Sequence, residues 1–147
     1  MAVTKTVRGI LAAAVAAAAA GFFAPGALAE GAFSLGFSGD IAKDGISYGY
    51  SVNNDKSEVA VEKSLSECRV GKNAPKMAAL CKLVTTFRNE CTAVAWDPKP
   101  GTPGMGIGFA ATQAGAEERA LAFCRMTVGA GRTNECKVDK SICDVTK

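Results

Sequence analysis

Histidine is absent from the whole 147-residue chain. Its absence excludes the Ser–His–Asp and Cys–His forms of nucleophilic catalysis. No Cys-x-x-Cys occurs either. That excludes a thioredoxin-like redox centre and, with histidine missing, a zinc site of the usual spacing. Acidic residues are missing before Glu30. Long runs rich in Leu, Ile and Val are missing too: Gly9 to Ala24 is apolar but built on alanine, too short and too poor in large side chains to span a bilayer.

What stands at the N-terminus instead is a leader pattern. Lys5 and Arg8 form a positive region, the Ala-rich run follows, and Ala27-Leu28-Ala29 is a small-residue cleavage signal. Residues 1–29 are therefore expected to be a signal peptide, removed after Ala29, with no cysteine near the cut to take a lipid. Residues 30–147 are one domain's worth of chain. Loss of Lys5 and Arg8 takes the formal net charge from +3 to +1. So small a charge gives no broad footprint for nucleic acid. The localisation expected is secreted or periplasmic, with no transmembrane segment in the mature chain.

All six cysteines fall after the leader: Cys68, Cys81, Cys91, Cys124, Cys136 and Cys143. An even count in a small exported chain reads as three disulfides. Their spacing also marks an internal repeat. Phe33, Leu35 and Phe37 alternate with small residues, as do Tyr48 and Tyr50, which is strand periodicity. A helix is expected from Ser57, as N-cap, to near Arg69, with Ala60, Val61, Leu65 and Cys68 on one face. A strand follows from Lys82 to Arg88. Thr92, Val94 and Trp96 restart the series. Ile107-Gly108-Phe109-Ala110 matches Tyr48-Gly49-Tyr50-Ser51, and a helix from about Gln113 to Met126 carries Ala116, Ala120, Leu121 and Cys124. The fold class expected is α+β: a tandem ββαβ repeat of period about 56 to 59 residues, one domain with antiparallel sheet and two helices. Copy one covers about 32–91 and copy two about 92–143.

The repeat limits the cysteine pairing. Cys68 corresponds to Cys124, and Cys81 to Cys136. The simplest arrangement is Cys68–Cys81, Cys124–Cys136 and Cys91–Cys143, the last tying one copy to the other. An exchanged arrangement, Cys68 with Cys136 and Cys81 with Cys124, keeps the same symmetry.

No group of residues forms a catalytic constellation. Asp40, Asp44, Asp55 and Asp97 lie at loops, where acids form turns, and Glu117 and Glu118 lie at a helix start. Gly104-Met105-Gly106-Ile107-Gly108 precedes a strand, the wrong context for a phosphate loop. One sheet face holds Phe33, Leu35, Phe37, Tyr48, Tyr50, Val94, Trp96 and Phe109. The other holds Ser34, Gly36, Ser47, Gly49, Ser51, Ala93, Ala95, Gly106 and Gly108. The large face is expected beneath the helices as core; the alternative packs the helices on the small-residue face and leaves the large face as an aromatic platform for a sugar or peptide. Candidate binding residues are Trp96, Tyr48, Tyr50 and Arg88, the last at the hinge between copies. No catalytic residue, metal or cofactor is expected.

Tyr48-Gly49-Tyr50-Ser51, the helix end at Cys68-Arg69, and above all Cys81-Lys82-Leu83-Val84 with Phe87-Arg88-Asn89-Glu90-Cys91-Thr92-Ala93-Val94-Ala95 resemble the domain-of-unknown-function family 4189. Gly106-Ile107-Gly108 and Ala116-Glu117 to Cys124 extend the resemblance, from about Ala32 to Cys143. It implies a small exported bacterial protein and carries no activity, cofactor or catalytic residue. The function expected is a non-enzymatic binding or interaction module of the cell envelope or exterior, with a protein or glycan partner. The alternative is a carboxylate-dependent hydrolase of envelope glycans.

Overall fold

The computed structural model describes residues 30–71 and 74–144; the leader expected over residues 1–29 lies outside them. The first unit runs β1 (Glu30–Gly36), α1 (Ile41–Asp44), β2 (Ser47–Asn54), α2 (Ser57–Val70), α3 (Pro75–Ala78) and β3 (Lys82–Phe87). The second runs β4 (Cys91–Trp96), β5 (Met105–Ala110), α4 (Gln113–Thr127), a 3-10 turn at Thr133–Glu135, and β6 (Lys137–Cys143). Each unit has a three-stranded antiparallel sheet with its first strand in the middle: β2-β1-β3 and β5-β4-β6. This is the tandem ββαβ plan, with the short helices α1 and α3 added. None of the helices among the described residues is long and apolar enough to cross a membrane.

The sheets bury their faces the opposite way from the expected core and as the alternative had it for the helices. Both long helices pack on the small-residue faces. Ser34 and Ser64 share a hydroxyl–hydroxyl bond of 2.8 Å between β1 and α2. Ala93 and Ala95 of β4 pack with Ala116, Ala120 and Cys124 of α4. The physical reason lies in the helices. Their buried residues are Ala60, Ser64 and Cys68 in α2, and Ala116, Ala120 and Cys124 in α4. Small side chains at i, i+4 and i+8 form a shallow helix face that reaches a sheet only where the sheet is equally shallow. Leu65 and Leu121, expected to need deep burial, are only half-buried.

The large faces then bury each other. Phe33, Phe87 and Val94 form the centre, with Leu35, Tyr48, Tyr50, Val52, Ile107 and Phe109 packed around them. Phe109 meets Phe33 edge-on at 6.0 Å and Phe87 at 5.7 Å. The architecture is helix, sheet, sheet, helix, and among the described residues the large faces cover each other in place of an open aromatic platform. Each buried Phe of this seam contributes roughly 1.5–3 kcal/mol.

The repeat holds in architecture and shifts in detail. Gly49 lies against the backbone at Ser64 and Cys68, and Gly106 lies against Ala120 and Cys124. Gly106, two residues before Gly108, is therefore the counterpart of Gly49. Trp96 pairs with Met105 as Leu35 pairs with Tyr48, so Trp96 corresponds to Leu35 and not to Phe37. A two-residue slip keeps every side chain on its face, which hides it from alternation in the sequence.

The disulfides are Cys68–Cys81, Cys91–Cys143 and Cys124–Cys136. The first and third each tie a long helix to the segment entering its unit's last strand, both with Cα atoms 6.0 Å apart. The second does not join the units. Cys91 is the first residue of β4, in register with Cys143 of β6, so the bond closes the second sheet. In loop-closure terms the two short bridges contribute about 3 kcal/mol each and the long one about 4.

The units are joined at one end by Asp144, which is fully buried. Its carboxylate accepts the backbone N–H of Asn53 at 2.7 Å and of Asn89 at 3.3 Å, and its own N–H donates to Glu90 O at 2.8 Å. Asn53 and Asn89 both have left-handed φ, 58° and 53°, a conformation asparagine tolerates. Across the seam the Tyr48 hydroxyl donates to Asp139, and Lys140 lies 5.7 Å over the Tyr50 ring.

A candidate binding cleft between the hairpin loops

At the end away from Asp144, the β1–β2 connection faces the β4–β5 loop. Between them lies a cleft of about 470 Å³, within the size range of small-ligand sites. One wall is Ile41 to Ile46. The other is Trp96 to Thr102 with Gly104 and Met105. The two loops occupy equivalent places in the repeat, so the cleft sits where the two copies present the same feature to each other.

Both walls are held locally. Asp40 caps α1, its carboxylate accepting the Lys43 N–H at 3.0 Å, and Gly45 ends the turn at φ 70°. In the other wall Asp97 N–H donates to Gly104 O at 3.0 Å, and the Asp97 carboxylate accepts the Lys99 N–H at 3.0 Å. Thr102 donates to Lys99 O at 2.8 Å. Prolines 98, 100 and 103 remove backbone freedom from the same stretch. Arg132, beyond α4, grips the buried Asp97 with two nitrogens: Nε at 2.6 Å and Nη2 at 2.7 Å. The loop is thus fastened to its own unit by a two-point charge-assisted contact.

That contact fixes the state of Asp97. The Arg132 hydrogen bonds hold its carboxyl down at about 2, against an ordinary 3.8; burial opposes them and is outweighed. The folded value is depressed, so the stabilisation is complete above the ordinary value and is lost as pH falls toward the folded one. The melting temperature is expected to drop as pH goes from about 4 to about 2. In Arg132→Gln that acid limb shrinks. Circular dichroism melts of both proteins between pH 7 and pH 2 check it; parallel acid limbs would contradict it.

Of the four sequence candidates, Trp96 lines the cleft. Tyr48 supports it, ring to ring at 6.3 Å in an edge contact. Burial, and then the bond to Asp139, raises the Tyr48 phenol well above its ordinary value; it is a fixed strut that stays protonated. Tyr50 packs behind Tyr48 at 6.3 Å. Arg88 lies at the opposite end, beside the start of β1, ion-paired with Glu30, and takes no part in the cleft. Ile41, Lys43, Lys99 and Met105 were not singled out by the sequence, and Asp44 was weighed there only among the loop acids. Lys99 sits in a loop whose Gly, Pro and Asp residues signal a turn; Ile41, Lys43 and Asp44 form the short helix α1, and Met105 opens β5.

These features define a class: a disulfide-stapled α+β domain of two ββαβ units, with a half-apolar cleft between equivalent loops and no pair of free carboxylates in it. The chain belongs to the family described as a domain of unknown function (DUF4189), which matches residues 31–143. No curated protein and no solved structure matches it.

Proposed function

We propose that this is an exported, non-enzymatic binding module, secreted or periplasmic, whose ligand enters the cleft beside Trp96. The observation that carries the reading is the combination of a partly exposed indole on the cleft wall with an Asp97 wholly engaged by Arg132. A glycan hydrolase needs two acids facing a bond, one of them protonated near neutral pH. Asp97 is held ionised, which leaves Asp44 as the other acid lining the cleft. Three disulfides suit an oxidising compartment, and the leader pattern at residues 1–29 gives the route there.

Trp96 is the single tryptophan of the chain, so its emission reports on the cleft without interference. Titration of the oxidised protein with envelope saccharides and peptides is expected to shift or quench that emission saturably, with no turnover of the ligand. Binding that leaves Trp96 emission unchanged would place the site elsewhere. Hydrolysis of a glycan that is abolished in Asp44→Asn would replace the binding reading with the enzymatic one.

A further inference from the structure

The charge around the cleft is unequal, and the inequality points to a ligand. Four charged residues line it: Lys43, Asp44, Lys99 and Asp97. Asp97 is neutralised by Arg132. Asp44 accepts the Ser38 hydroxyl at 2.8 Å, which leaves its negative charge in place. Lys43 and Lys99 stand on opposite walls, both exposed, and neither ammonium has an ion-pair partner among the described residues. Between them the lining includes Trp96, Ile46 and Met105. Lys43 and Lys99 against the one remaining anion, Asp44, leave the lining with net charge +1 beside these apolar groups, which favours a ligand with a negative group joined to a flat apolar body.

We propose that the cleft binds an organic anion, with a carboxylate between Lys43 and Lys99 and an apolar face against the Trp96 indole. The inference rests on the cleft being the binding site. The same chemistry has two sources, an acidic saccharide and an aromatic carboxylic acid. In the first the C–H face of the sugar ring covers the indole; in the second an aromatic ring does. A neutral body of the same shape would gain the indole contact and lose the charge pairing.

The test is a Trp96 emission titration of the oxidised protein with three probes: tetragalacturonate, the neutral α-1,4-linked tetrasaccharide maltotetraose, and phenylacetate. At least one of the two anions is expected to bind, and which one names the source. Its affinity is expected to fall about tenfold in the double variant Lys43→Gln, Lys99→Gln, and to weaken as salt rises from 20 to 300 mM, on the order of the Debye-length change for exposed charges. The double variant should melt with the parent protein, since neither side chain has a structural partner. Maltotetraose binding as tightly as the anions, with no effect of the double variant or of salt, would overturn the proposal while leaving the cleft as a binding site. Failure of both anions to move Trp96 emission would likewise overturn the proposal.

Discussion

Gly106→Ala is expected to destabilise the oxidised protein by roughly 3 kcal/mol or more. Gly106 lies in β5 under α4. A Cβ there would fall 2.0 Å from Ala120 O and 2.5 Å from Cys124 N. Both are helix backbone, so no side chain can swing aside. Relief requires α4 to lift from the sheet. The Cys124–Cys136 bond opposes that, and so does Thr127, whose hydroxyl accepts Met105 N–H at 3.0 Å. Gly49→Ala should behave alike, since its Cβ would fall 2.2 Å from Ser64 O. Gly101→Ala is the control. It has φ 79° and nothing within 4 Å of a Cβ, so it carries only the left-handed backbone cost of about 1–2 kcal/mol. Urea unfolding midpoints separate the cases. A Gly106→Ala protein as stable as Gly101→Ala would mean that α4 does not pack on the small-residue face.

Asp144→Ala is expected to cost about 2–4 kcal/mol, from two hydrogen bonds to its carboxylate, offset by water that reaches the freed N–H groups. Asp144 is fully buried, while Asn53 and Asn89 are exposed residues, so water can take over part of what their N–H groups lose. Because the Asn53 contact joins the end of β2 to the chain beyond β6, the loss also loosens one unit from the other. Hydrogen exchange gives the specific readout: the Asn53 amide should be protected in the parent and exchange at least tenfold faster in the variant, while α4 amides change with global stability alone. Unchanged protection at Asn53 would contradict the role given to Asp144.

The elements were legible in the sequence because each unit states them twice. Strand alternation, the helix from Ser57 and the helix from Gln113 all stand close to their expected limits. The helix start differs by one position: Lys56, not Ser57, is the cap residue. The burial direction was harder. Alternation tells which residues share a face and not which face meets a helix. The deciding signal was present in Ala60, Ser64 and Cys68, repeated in Ala116, Ala120 and Cys124; large flanking Leu65 and Leu121 masked it. The cleft was the least legible part. It depends on two loops far apart in sequence meeting across the seam, and on Arg132 reaching Asp97 from 35 residues away. Only Trp96, and Tyr48 behind it, could be singled out from residue type.

The sheet-on-sheet seam is the central claim, because it alone brings the two loops to one end and makes the cleft. Nuclear Overhauser contacts between aromatic rings in the oxidised protein test it most directly. Contacts are expected from Phe109 to Phe33 and Phe87, and from Trp96 to Tyr48, whose ring centroids lie 6.0, 5.7 and 6.3 Å apart. Contacts from Phe33 to Leu65, and from Phe109 to Leu121, with none between the rings, would put the helices on the large faces and contradict the account.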